Sequence, residues 1–180
     1  MKTIYLGIGT NIGRREANLQ RAVDLLAQEG VTPRRVSSTY ETKPMYVTDQ
    51  PVFLNIVVEA ETNTFPRILL KRLQQIERAM GRKKIVDKGP RVIDIDILLF
   101  GKFVVVAPEL AIPHPHMAER RFVMEPLAEL APELRHPLTK QRMKEMFGKV
   151  MDQASRKVEF RVTLPAPAET GIPQKESATD

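Results

Sequence analysis

The sequence predicts an α+β domain whose β-α-β-β-α-β order closes into a ferredoxin-like antiparallel sheet, with helices on one face and C-terminal helical additions. Three observations predict it. Apolar residues alternate in four segments, recur at helical spacing in two others, and turn residues separate these segments. The chain has 180 residues, enough for one core. We expect residues 1–164 to form the domain and residues 165–180, poor in apolar side chains, to be a disordered tail.

The first half of the predicted sheet comes from residues 3–42. Alternating apolar residues predict a strand over Thr3–Gly9. Apolar residues at positions i, i+3, i+4 and i+7 then predict a helix over Arg14–Glu29, and Gly30 follows at a C-cap position. A segment rich in Ser, Thr and Tyr predicts a second strand over Arg35–Thr42.

The second half repeats this strand–helix–strand order. Alternation predicts a strand over Phe53–Thr62, and helical spacing predicts a helix over Phe65–Met80 with a glycine just past its end. A basic loop over Arg82–Pro90 leads to a strand over Val92–Phe100. Beyond this core we expect a short strand over 103–106, a proline-rich helical segment over 112–133, a helix N-capped by Thr139, and a late strand over 158–164.

Composition and charge exclude several classes of protein. The chain has no cysteine, which excludes a disulfide scaffold, a thiolate metal site and cysteine catalysis. It has no apolar run near the ~20 residues that span a bilayer and no signal-peptide pattern, so we expect a cytoplasmic protein without a membrane partner. The net charge is +6, and nine basic against two acidic residues lie between Arg67 and Arg91. Such a local cluster fits a bound phosphate group better than a surface that follows nucleic acid.

Two aspartates give the clearest sign of chemistry. In the strand over Val92–Phe100, Asp94 and Asp96 share one face, roughly 7 Å apart along the strand. Aspartate is depleted in strands and like charges on one face repel, so something must offset the repulsion. A hard divalent cation such as Mg²⁺ does so directly; the alternative is a solvated outer face. The adjoining Arg91 and basic loop favour a metal site beside phosphates.

Two other motifs are ambiguous on their own. Residues 7–13 are glycine-rich and open a helix, but they lack the dinucleotide-binding spacing, so a tight strand-to-helix turn is favoured over a phosphate cradle. His114 and His116 could bind zinc, yet no third ligand is evident beyond the isolated His136. A phosphate contact or a role in loop structure therefore fits these histidines better than zinc.

Four stretches, in consistent order, together resemble one known family. They are Gly9–Asn11, Asp49–Asn55, Lys88–Leu98 and Ile112–Leu127. The family that they resemble is 6-hydroxymethyl-7,8-dihydropterin pyrophosphokinase. The resemblance implies a ferredoxin-like fold and a transfer of pyrophosphate from ATP to the hydroxymethyl group of the pterin, which releases AMP in folate biosynthesis. The alternative is a non-catalytic ferredoxin-like module that binds RNA or a small molecule, although the aromatic motif of RNA-binding sheets is missing.

The resemblance also implies roles for particular residues. Asp94 and Asp96 would hold two Mg²⁺ ions and, with Arg82 and Arg91 on the phosphates, form the catalytic set. The pterin would be bound by Thr42, Pro44, Met45, Phe53, Asn55 and Phe122. ATP or its metals would be contacted by Gln74, Glu77, Lys84, Ile97, His114, His116 and Arg120. Tyr46 stands where the family usually has glycine. The expected partners are these two small-molecule substrates, with no nucleic acid and a monomeric chain.

Overall fold

A six-stranded antiparallel sheet forms the centre of the structure, a computed structural model that describes residues 1–83 and 89–166. Its strands are β1 (Lys2–Thr10), β2 (Val31–Val36), β3 (Tyr40–Thr42), β4 (Phe53–Thr62), β5 (Asp94–Phe100) and β8 (Ser155–Lys157). They lie in the order β5-β1-β4-β3-β8, and β2 also pairs with β4. A separate hairpin joins β6 (Val105–Ala107) to β7 (Leu110–Ile112). In this order β4 is the central strand, and β1 lies between β4 and the edge strand β5.

Helices cover both faces of the sheet. On one face, α1 (Arg15–Gln28) and α2 (Pro66–Ala79) bury their apolar stripes against alternate residues of β1, β4 and β5. On the other face, α3 (Arg121–Leu130) and α4 (Met143–Gly148) pack on a second apolar cluster. The helices predicted from periodicity agree with α1 and α2 to within one residue at each end. No helix of the described residues is long and apolar enough to cross a membrane.

The predicted single strand over Arg35–Thr42 is wrong, because the chain forms two strands, β2 and β3, on either side of residues 37–39. At this interruption the Val57 amide donates to Ser37 Oγ at 2.9 Å. The Ser38 amide donates to the Glu129 carboxylate of α3 at 2.8 Å. Hydroxyl and carboxylate oxygens therefore replace backbone partners and allow the strand to break.

Three predictions for the C-terminal part are also wrong. The helical segment expected over 112–133 begins as β7 and a short 3-10 turn, and α3 starts only at Arg121. Two prolines, Pro113 and Pro115, lack the N–H groups that a helix requires there. The late strand lies at Ser155–Lys157 rather than over 158–164, where Val162 packs into the core without a strand partner.

The helix expected after Thr139 begins later and has another N-cap. α4 starts at Met143, with Arg142 as its N-cap residue. The Arg142 amide donates to the Glu145 carboxylate at 3.0 Å, which satisfies one free N–H at the helix start. The predicted tail lies outside the described residues from residue 167 onward.

Candidate active site

A cavity of about 250 Å³ opens over the sheet face that carries α3, where β4, β1 and β5 lie side by side. Two cross-strand rows, Asn55–Gly9–Asp94 and Val57–Gly7–Asp96, run across these three strands. Residues paired directly across antiparallel strands project to the same face, so both aspartates point toward the cavity. A Cβ atom on Gly9 would lie 2.8 Å from Asn55 Oδ1. Glycine at this position therefore makes room for the Asn55 amide.

The cavity walls come from three segments that the fold brings over these rows. They are residues 42–50, residues 89–91 and residues 114–123. Most of the predicted site residues line the cavity, namely Thr42, Pro44, Met45, Phe53, Asn55, Arg91, Asp94, Asp96, His114, Arg120 and Phe122. The fold therefore collects residues from both predicted subsites, the pterin set and the nucleotide set, around one opening.

The remaining predicted residues lie elsewhere. Ile97 is buried in the core beneath α1 and α2, so its side chain is not available to a ligand in the cavity. Gln74 is exposed on α2, and His116 is exposed beside Glu119, its partner at 3.5 Å. Lys84 lies outside the described residues. Arg82 and Glu77 do not line the cavity, but both belong to the charge network at its edge.

That charge network centres on Asp94. Arg82 and Arg91 both reach Asp94 Oδ1, at 3.1 and 3.0 Å. Arg82 also pairs with Glu77, a carboxylate on α2 that is only 5% exposed and accepts the Ile95 amide at 2.8 Å. Burial raises the pKa of Glu77 above its ordinary value. Two guanidinium groups thus lie beside Asp94, and Glu77 of α2 holds one of them, that of Arg82.

Asp96 is in a different electrostatic position from Asp94. The basic nitrogen nearest to it among the ion pairs of the described residues is His114 Nε2, at 3.9 Å. Burial, followed by the neighbouring Asp94 charge, raises the pKa of Asp96 well above its ordinary range. A carboxylate in this situation gains from a bound cation, which would offset the cost of its ionised form.

His114 is held as a neutral side chain at the cavity wall. Burial, together with the charges of Arg120 and His116, lowers the pKa of His114 to about 4. Its Nδ1 accepts the His116 amide at 3.2 Å. His136 is engaged separately, because its Nδ1 accepts the Leu138 and Thr139 amides. In the described part of the chain no group of three or more His, Asp or Glu residues is arranged to hold a metal ion.

Asn11 is a residue whose role the sequence did not reveal. Its side chain is 1% exposed, and its Oδ1 accepts the Arg91 amide at 2.7 Å. Its Nδ2 donates to Gln50 Oε1 at 2.9 Å and to the Pro51 carbonyl at 3.0 Å. One amide thus connects the turn after β1 to two cavity walls. In the sequence, Asn11 is noticeable only as an asparagine inside a glycine-rich turn. There it contributes to the family resemblance and does not indicate the bridging contacts.

Replacing Asn11 by alanine should destabilise the fold. The substitution leaves the Arg91 amide and the Pro51 carbonyl without this partner, and each unsatisfied buried polar group costs about 1–3 kcal/mol. Chemical denaturation should therefore show a free energy of unfolding lower by at least the cost of one such group, about 1–3 kcal/mol. The matched control is Asn63→Ala, at an exposed position just after β4. Equal stabilities of the two variants would contradict the bridging role.

The comparisons with known proteins agree with this geometry. Residues 5–132 match the family model described as 7,8-dihydro-6-hydroxymethylpterin-pyrophosphokinase, or HPPK. The chain belongs to the HPPK family. The resemblance drawn from four short stretches is therefore confirmed, and it covers nearly the same part of the chain.

HPPK relatives occur both as proteins of similar length and within much longer ones. The 2-amino-4-hydroxy-6-hydroxymethyldihydropteridine pyrophosphokinase of Bacillus subtilis is 43% identical over 157 residues, which cover 87% of this chain and 94% of that protein. The folic acid synthesis protein fol1 of Pneumocystis carinii is 39% identical over 84% of this chain, which spans only 20% of that protein. The chain therefore spans about a fifth of the length of some relatives that it matches.

A solved HPPK structure has the same fold. The wild-type HPPK-DHPS of Plasmodium falciparum superimposes with a TM-score of 0.66, covering 82% of this chain and 41% of that chain at 17% identity. At this identity the likeness concerns the fold, a mixed α/β arrangement with an antiparallel sheet.

Proposed function

We propose that this chain transfers pyrophosphate from ATP to the hydroxymethyl group of 6-hydroxymethyl-7,8-dihydropterin and releases AMP, a step of folate biosynthesis. The observation that carries the proposal is the pair Asp94 and Asp96, which faces a cavity lined by aromatic and basic side chains in a chain of the HPPK family. ATP and the pterin are the two substrates. The aspartates lie where the two predicted subsites meet, next to the bond that would form.

The pterin half of the cavity suits a flat ring with a polar edge. Phe53 and Phe122 line it and offer aromatic faces for stacking. The Asn55 amide is buried and donates to Thr42 Oγ1 at 2.7 Å. This bond fixes the orientation of the amide, so that its oxygen remains turned toward Gly9 and can accept from a ring N–H. Met45 adds an apolar side chain to the cavity wall. Stacking on the aromatic rings, together with a hydrogen bond to the oriented Asn55 amide, then selects the pterin.

The phosphate half suits a polyanion. Arg91 and Arg120 line the cavity, and Arg82 lies beside them on Asp94. The Arg120 Nε atom is buried and has no hydrogen-bond partner among the described residues. Leaving such a donor unsatisfied costs about 1–3 kcal/mol, which a phosphate oxygen would recover. Guanidinium groups match phosphate oxygens through paired N–H donors, so these three arginines would hold the triphosphate.

The donor set at the aspartates fits two Mg²⁺ ions. Asp94 and Asp96 supply carboxylate oxygens, the ligands that Mg²⁺ prefers, and phosphate oxygens and waters would complete its coordination. When bound, the ions would neutralise the triphosphate and lower the pKa of the pterin alcohol. The chain itself orients that alcohol toward the β-phosphorus and shields it from water, while its arginines stabilise the charge that moves to AMP. No dedicated general base is then required.

Other features of the fold support further parts of the proposal. The monomeric state of the chain stays a prediction. The antiparallel order of β5, β1, β4 and the broken strand β2/β3 supports a ferredoxin-like core. A cytoplasmic location and the lack of a nucleic-acid partner stay predictions.

The experiment is to incubate the purified chain with ATP, Mg²⁺ and the pterin and to measure AMP by chromatography. We expect AMP only when the pterin is present, with loss of the reaction in EDTA and recovery on adding excess Mg²⁺. AMP that forms equally without the pterin would indicate ATP hydrolysis. No AMP from a folded, ATP-binding protein would favour the non-catalytic alternative.

A further inference from the structure

Tyr46 makes a contact that spans the mouth of the cavity. It lies in residues 43–52, a segment without helix or strand, and its ring is half exposed. Its hydroxyl accepts a hydrogen bond from Arg120 Nη2 at 3.0 Å. Arg120 belongs to the opposite wall, between the 3-10 turn (Met117–Glu119) and α3. Tyr46 thus joins two walls that are far apart in the sequence.

The Arg120 guanidinium is also held by aromatic rings. Its central carbon lies 5.7 Å from the ring centroid of Tyr46 and 5.6 Å from that of Phe122. Both distances are within the ~6 Å range in which a cation is attracted to an aromatic face. The ring and the hydroxyl of Tyr46 therefore both contact the Arg120 guanidinium. Arg120 has many rotamers when free, and these contacts restrict them.

The position of Arg120 matters because of what surrounds it. Arg120 lines the same cavity as Asp96 and His114, so its positive charge faces the aspartate side of the site. Its Nε atom is the buried donor without a partner among the described residues. A small rotation of this side chain would therefore change both the charge beside the aspartates and the donor available to a ligand.

We propose that Tyr46 is a positioning residue that fixes Arg120 for the nucleotide and so makes the placement of residues 43–52 part of ATP binding. This inference rests on the proposed function, because it takes Arg120 as a phosphate contact. A glycine at position 46 could make neither contact, so both depend on the tyrosine side chain.

The test measures the affinity for a non-hydrolysable ATP analogue with Mg²⁺ by calorimetry. Tyr46→Phe removes only the hydroxyl, and Tyr46→Ala removes the ring as well. We expect the dissociation constant to rise roughly threefold in Tyr46→Phe and roughly tenfold in Tyr46→Ala, because a hydrogen bond to a charged group and a cation–π contact are lost in turn. The matched control is Val47→Ala, an exposed neighbour in the same segment that should bind as the wild type does.

A double-mutant cycle separates positioning from a general structural role. If Tyr46 acts through Arg120, then Tyr46→Phe should have no further effect on affinity in an Arg120→Ala background. Additive losses, or unchanged affinity in Tyr46→Ala, would overturn the inference. Because the readout is binding, it is independent of turnover. A wild-type protein that forms no AMP would count against the proposed function, whereas the cycle would still decide the role of Tyr46.

Discussion

Asp96→Asn should lower the turnover of AMP formation by roughly 10³-fold or more, because it removes a charge that would bind the metal ions at the transferred group. The substitution keeps the shape of the side chain. Steady-state kinetics at saturating Mg²⁺ and saturating substrates measure the effect. We expect the fold to be retained, because the ionised carboxylate is itself unfavourable beside Asp94, as its raised pKa indicates.

The same variant gives a stability readout. Removing an unfavourable charge from beside Asp94 should leave the thermal midpoint without metal unchanged or raise it. The control is Asp24→Asn, which removes one negative charge from an exposed position on α1 and should alter neither turnover nor stability appreciably. Near-normal turnover of Asp96→Asn at saturating Mg²⁺ would contradict the assignment of this residue. Loss of turnover together with unfolding would also contradict the expected retention of the fold.

Arg91→Ala and Arg82→Ala should each lower kcat on the order of 10²–10³-fold, with smaller changes in ATP affinity. Both guanidinium groups lie on Asp94 Oδ1, beside the triphosphate that we propose. A group that acts mainly on charge moving during transfer lowers the rate more than it weakens binding. Kinetics with varied ATP, at saturating pterin, separate kcat from KM.

The two arginines differ in what else they hold. Arg82 pairs with the buried Glu77, so Arg82→Ala leaves that carboxylate without its partner and should also destabilise the fold. Arg82→Lys keeps the charge and serves as the milder variant, while Arg91→Ala is the cleaner test. The control Lys83→Ala removes the same charge from an exposed neighbour and should be mild. Equal weakening of ATP binding in all three alanine variants, with kcat unchanged, would show only a nonspecific cluster of positive charge.

The features that sequence reasoning predicted well depend on local periodicity. α1, α2 and β4 follow from the spacing of apolar residues, and the alternation of β5 puts Asp94 and Asp96 on one face. An alternating strand pattern also predicts which side chains lie on the same face of the sheet. The predicted pterin and phosphate residues therefore meet around one cavity, because the segments that carry them flank β1, β4 and β5.

The features that were missed depend on contacts between distant segments. The break between β2 and β3 is stabilised by Glu129 of α3, which lies 91 residues beyond Ser38. The bond from the Arg91 amide to Asn11 joins residues 80 apart. The Tyr46–Arg120 contact spans 74 residues. No local propensity encodes such pairings, since each of them joins residues that are far apart in the sequence.

The central claim is that an intact pyrophosphoryl group moves to the pterin at this site. It is tested most directly with ATP labelled at both the β- and the γ-phosphorus, by locating the two labels after reaction with Mg²⁺ and 6-hydroxymethyl-7,8-dihydropterin. We predict that both labels appear together on the pterin product and that the nucleotide product is unlabelled AMP. A pterin carrying only the γ-label, with labelled ADP as the other product, would contradict the account.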